Sequence, residues 1–205
     1  MINNSEIKIT DIINEELYEE FNKHIFGVFL KFNDSMSTIL RGHLYIESEF
    51  EKQFNLFLEN PEVLNMDRMK FSDKLTWLVA LGLMSKENKM PYKLLNELRN
   101  KFAHNIEYKL QDSDLEKIVN TFSKSQRDRY KKMVNDQSNN DSKLRFCLSI
   151  LWIDICLETE LIKMKKETER LKKELDKERE LNLNGDFNRK HFEQWLKITT
   201  EKLNN

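Results

Sequence analysis

Apolar residues recur along this chain every three or four positions, the period of a helix that buries one side. The first such stretch, about Asp11 to Phe32, places Ile12, Ile13, Leu17, Phe21, Ile25 and Phe29 on one broad face. Asp34 and Ser35 then form an N-cap for a second helix, whose Met36, Leu40, Leu44, Phe50, Phe54 and Phe57 carry the stripe to a break at Asn60-Pro61. A short third helix opens at Phe71-Ser72-Asp73-Lys74-Leu75 and closes near Gly82; its Leu75, Trp77, Leu78 and Leu81 predict burial on most sides. Pro91 stands where a helix start tolerates it, ahead of Leu94, Leu95, Leu98 and Phe102. Ser113 with Glu116 reads as a capping box for a fifth helix through Leu115, Ile118, Val119 and Phe122. The polar and basic run from Gln126 to Asp141 predicts an exposed turn region, after which Asp141 or Ser142 caps a last long helix.

That last segment begins apolar, at Leu144, Leu148, Leu151 and Ile155, and becomes highly charged beyond Glu158. Leu157, Leu161, Met164, Thr168, Leu171 and Leu175 alternate spacings of four and three, the seam of a coiled coil with one polar position. A single solvated helix leaning on the domain is the other reading. Asn182 to Asp186, with Gly185, ends it, and Phe192, Trp195, Leu196, Thr199 and Leu203 mark a short terminal helix. The expectation is an all-α fold: a helical domain over residues 1–156 and a helical or coiled-coil extension over 157–205.

Composition narrows this further. Gly 4 and Pro 2 in 205 residues leave few tight turns, which disfavours sandwiches, barrels, doubly wound sheets and glycine-rich nucleotide loops. Lys+Arg 34 against Asp+Glu 35 gives a net charge of −1, so no global positive field draws nucleic acid. A local basic groove is compatible with that balance. Lys124, Arg127, Arg129, Lys131 and Lys132 read either as a guide for RNA or as a solvated face. The longest apolar run, Leu75 to Met84, is about half a membrane span, and the polar start from Met1 to Glu6 lacks the pattern of a signal peptide, so we expect a cytoplasmic protein with no membrane contact. Cys147 and Cys156 fall on opposite faces of one helix and fit no zinc spacing; buried free thiols, no metal and no cofactor are expected.

The usual catalytic and ligand spacings are absent: there is no His-Glu-x-x-His, no Cys-x-x-Cys, no phosphate loop and no nucleophile elbow. His24 and His191 read as structural. His43 lies in Arg41-Gly42-His43-Leu44-Tyr45-Ile46-Glu47, where a helical glycine costs about 1 kcal/mol relative to alanine and permits close packing. Arg41, His43 and Glu47 are read as structural or site-related. His104 closes the string Arg99-Asn100-Lys101-Phe102-Ala103-His104. On an undistorted helix Arg99 and His104 diverge by about 140°, whereas Asn100 and His104 share a face. To meet at one phosphate, the helix must end or bend between Arg99 and His104, or two copies must face each other across a dimer. A histidine near its ordinary pKa of about 6.5 passes protons at neutral pH. A guanidinium holds a phosphate by paired hydrogen bonds and stabilises the charge of its transition state. RNA carries its own nucleophile, so cleavage by such a set needs no metal. Alone, the string is a weak pattern that reads first as a helix-terminal structural cluster.

The string resembles the hallmark of the HEPN superfamily, which is Arg, a polar residue, three to five further residues and His. Arg41-Gly42-His43-Leu44, Phe71-Ser72-Asp73-Lys74-Leu75 and Ala80-Leu81-Gly82-Leu83 resemble its mannitol-operon-repressor-like branch in order and spacing. The similarity covers about Asp34 to Ile155. It implies a HEPN-like antiparallel helical bundle and a homodimeric, metal-independent endoribonuclease that leaves a 2′,3′-cyclic phosphate, with its cleft between two protomers. Arg99 would bind the scissile phosphate, His104 would transfer the proton and Asn100 would support them, in a toxin–antitoxin or phage-defence setting. The alternative is a non-enzymatic regulator or adaptor whose charged C-terminal helix receives an antitoxin or another protein partner.

Overall fold

The computed structural model describes residues 34–181, and among these there are six α-helices and no strand. The expected helix over 11–32, His24, the terminator at 182–186, the terminal helix and His191 lie outside the described residues. Helix α1, Ser35–Phe57, begins where expected: the Asp34 carboxylate accepts the Ser37 N–H at 2.7 Å. Two short 3₁₀ turns, Pro61–Val63 and Met66–Arg68, lead to α2, Phe71–Ala80. Gly82 ends α2 with φ of 72°, and the amides of Gly82 and Leu83 close back on Val79 and Leu78 oxygens at 3.1 and 2.9 Å, a Schellman turn that favours glycine for its backbone alone. Helix α3, Lys89–His104, carries Pro91 buried in its first turn, where no intrahelical N–H is lost. Helices α4, Asp112–Asn120, and α5, Lys124–Met133, are short, and α6, Asn140–Leu181, is continuous for 42 residues.

Ile39, Ile46, Phe50 and Phe54 of α1 are sealed against Leu144, Leu148, Leu151 and Ile155 of α6, while Tyr92, Leu95, Leu98 and Phe102 of α3 close the same core. Buried polar groups are satisfied across helices: Tyr92 donates to Leu151 O at 2.9 Å, and the Gln53 amide donates to Thr159 Oγ1 at 3.3 Å. Both cysteines are free and buried, as expected, and burial pushes the Cys147 thiol up to about 12. Among the described residues no helix is long and apolar enough to cross a membrane.

Four local expectations are corrected. Trp77 is 51% exposed, so α2 is buried on one face and not on most sides; that inner face is Phe71, Lys74, Leu75 and Leu78. The capping box of α4 is Gln111 with Asp114, two residues earlier than Ser113 with Glu116, because Asp114 is also held by Lys101 Nζ at 2.7 Å and by the Tyr108 hydroxyl. Gln126 to Asp141 is not a turn throughout. Helix α5 occupies its first half, started by a Ser123/Gln126 capping box and tied to α6 by Gln126 and Arg129 on Asp154. Finally, α6 is capped by Asn139, whose side chain accepts the Ser142 N–H at 2.9 Å.

Beyond Thr159 the surface of α6 opens: Leu161 and Met164 are exposed and Leu171 and Leu175 are half-buried, as Leu157 is just before it. Lys166 still reaches back to Leu56 O at 2.7 Å, and Arg170 pairs with Glu167 and Glu174 along the helix. The expected boundary between residues 156 and 157 falls inside this unbroken helix.

Candidate functional site

Helix α3 carries all of the Arg99–His104 string without a bend. Arg99 and His104 therefore diverge by about 140° and stand about 7.5 Å apart along its axis. His104 occupies the last turn, exposed, and the chain turns extended at Asn105. That end of α3 is fixed by buried Phe102 and by the Lys101–Asp114 pair, which with its hydrogen bond raises the Lys101 pKa. Arg99 and Asn100 are half-buried one turn earlier, with Arg99 Nη1 donating to Asn100 Oδ1 at 3.2 Å.

Arg99 and Asn100 face a cavity of about 310 Å³ between α1, α3 and the start of α2, whose walls include His43, Glu47, Lys70 and Asn96. Of the three α1 residues singled out in the sequence, His43 and Glu47 thus line the same cavity as Arg99; Arg41 is exposed and does not line it. His104 does not line it either.

The polar floor of this cavity is organised. His43 is buried, with Nε2 at 3.0 Å from Asn96 Oδ1 and its ring centred 4.1 Å from that of Phe71. Its Nδ1 has no hydrogen-bond partner; the nearest charge is Glu47 Oε2 at 3.7 Å. Burial lowers the imidazole pKa below its usual value, outweighing the help from Asn96 and Glu47, so the ring is neutral at neutral pH. Glu47 in turn accepts from Lys74 Nζ at 2.7 Å, and Lys74, almost wholly buried, also pairs with Glu51. Desolvation would lower the Lys74 pKa, but the two carboxylates more than reverse it and hold the ammonium charged.

Asn96 and the α2 start escaped sequence reasoning. Asn96 lies three residues before Arg99 and shares its face, a spacing that carried the signal. The approach of Lys70 and Ser72 is tertiary and left no local trace. The basic residues of α5 do not border the cavity, and Arg129 is engaged with Asp154. Among the described residues no group of three His, Cys, Asp or Glu side chains is placed to hold a metal ion. No protein-family model, curated protein or solved structure matches the chain.

Proposed function

We propose that this chain is a HEPN-type, metal-independent endoribonuclease that works as a cytoplasmic homodimer in a toxin–antitoxin or phage-defence system. The observation that carries this reading is the half-buried guanidinium of Arg99 on the wall of a cavity, one turn from an exposed His104 on the same rigid helix. Because the two side chains diverge within a protomer, the productive pair is Arg99 of one copy with His104 of the other. The 2′-hydroxyl of the RNA attacks the adjacent phosphorus, the O2′–P bond forms as the P–O5′ bond breaks, and the products are a 2′,3′-cyclic phosphate and a 5′-hydroxyl. His104 moves the proton between these oxygens, Arg99 stabilises the charge on the phosphoryl oxygens and Asn100 supports the guanidinium.

The test is incubation of the full chain with RNA in EDTA, beside Arg99→Ala and His104→Ala. Wild type is expected to give cyclic-phosphate ends, and each variant to lose about 100-fold or more in rate. Identical products and rates from all three sink the assignment.

The adaptor reading is favoured by one observation, the exposure of Leu161 and Met164 on the α6 arm, which suits an antitoxin or other protein partner. Leu161→Asp with Met164→Asp is expected to abolish such an association and leave RNA cleavage intact; if cleavage is absent from wild type, the adaptor reading stands alone.

A further inference from the structure

The cavity beside Arg99 is also the place where α2 starts, and that start is uncapped. Lys70 precedes the helix and offers no side-chain cap. The Asp73 and Lys74 amides reach Lys70 O at 2.9 and 3.0 Å, whereas the Phe71 and Ser72 amides have no acceptor among the described residues. These two N–H groups carry the positive end of a ten-residue helix.

Three further features bear on what belongs there. Arg99 donates only to Asn100 Oδ1 and pairs with no carboxylate among the described residues, so most of its five N–H donors are uncommitted. Lys70, exposed on the same wall, adds a second cation, while the one carboxylate of the cavity, Glu47, is paired with Lys74, which it shares with Glu51. His43, 97% buried in the wall, keeps Nδ1 without a hydrogen-bond partner. With Nε2 donating to Asn96 Oδ1, that nitrogen is an acceptor. A net positive cavity with one vacant acceptor matches a group that is anionic and carries a hydroxyl.

We propose that this cavity seats one nucleotide of the RNA, its phosphate held by Arg99, Lys70 and the Phe71 and Ser72 amides, and its sugar hydroxyl turned toward His43. The proposal rests on the ribonuclease reading and adds to it Lys70, the start of α2 and His43. A volume of about 310 Å³ is at the lower end of ligand pockets, the scale of a phosphate with its sugar.

The test is fluorescence anisotropy of a labelled single-stranded RNA oligonucleotide on full-length His104→Ala, whose cleavage is blocked and whose cavity is intact. Adding Lys70→Ala is expected to weaken binding about fivefold or more and to lower the slope of log Kd against log salt by about one. Ser72→Pro removes one amide at a first-turn position that proline tolerates, and is expected to weaken binding by a similar factor. Lys86→Ala, in the loop before α3, serves as the exposed-charge control and is expected to bind as the parent does. If circular dichroism shows Ser72→Pro unfolded, Lys70→Ala carries the test. Should Lys70→Ala and Ser72→Pro both bind RNA like the parent while Arg99→Ala weakens it, the seat is overturned and the ribonuclease reading stands. If Arg99→Ala also binds unchanged and wild type cleaves nothing, both fall.

Discussion

Leu148 fills the space where a side chain at residue 42 would stand: a Cβ on Gly42 would fall 2.7 Å from Leu148 Cδ2 and 2.8 Å from Cδ1. This contact sets how closely α1 approaches α6, and through α1 it sets the depth of His43 beside the cavity. Leu148 is fully buried and has no room to retreat. Gly42→Ala gains about 1 kcal/mol of helix propensity but overpacks the crossing by about 2–3 kcal/mol, so a net loss of about 1–2 kcal/mol is expected in urea denaturation. Combined with Leu148→Ala, the alanine at 42 should cost nothing further. Additive losses in the double variant would show that the two side chains do not compete for one space.

A composite site has a signature that a single-protomer site lacks. In a mixed dimer of Arg99→Ala and His104→Ala, one cleft loses both groups and the other retains both. Mixing the two inactive proteins in equal amounts and allowing exchange should therefore restore about a quarter of wild-type cleavage, given random pairing in a twofold dimer. No recovery, with exchange confirmed by differently tagged chains, would place Arg99 and His104 in the same protomer's cleft and demand a bend in α3.

Lys74 sits between two carboxylates with almost no exposure of its own. Removing its charge leaves Glu47 and Glu51 facing each other at the rim of the core. Lys74→Ala is expected to lose about 2–3 kcal/mol in denaturation, less than a fully buried pair because both carboxylates keep some solvent. Adding Glu51→Gln should recover part of that loss. A Lys74→Ala protein as stable as wild type would mean that the carboxylates find other partners.

Helix positions were legible where a local rule and the packing agreed. Asp34 caps α1, Gly82 ends α2 and Gly42 lets α6 close in, each as the apolar stripe and a single punctuating residue imply. Helix α5 was missed because its run is almost entirely charged and polar, although Ser123 and Gln126 carried a capping-box spacing that announced it. The cavity was half legible. Arg99 and Asn100 stood out as neighbours on one helix, but His43 and Asn96 lie 53 residues apart and meet only through the packing of α1 on α3. No local pattern marks a buried lysine such as Lys74 either, since its partners come from a different helix.

His43 and Glu158 give the fold opposite responses to pH. Burial lowers the His43 pKa below 6.5, so the folded chain resists a proton that the unfolded chain accepts; stability is full above 6.5 and declines as pH falls below it. Burial beside Asp154 pushes Glu158 from 4.5 up to about 7, against a hydrogen bond from Asn88. Its contribution is therefore full below 4.5 and is lost as pH rises to about 7, where the folded chain must ionise a buried carboxyl. Between 4.5 and 6.5 the two responses oppose and flatten the wild-type profile. Above 6.5 only the carboxyl still acts. Glu158→Gln keeps the acceptor for Asn88 and removes the charge, so it should gain on the order of 2 kcal/mol over wild type at about pH 8 compared with about pH 4.5. His43→Gln should lose less stability than wild type on acidification from about pH 7.5 to about pH 5. Denaturation midpoints from about pH 4.5 to about pH 8 decide both: variant curves parallel to wild type would show that neither group titrates in its buried position.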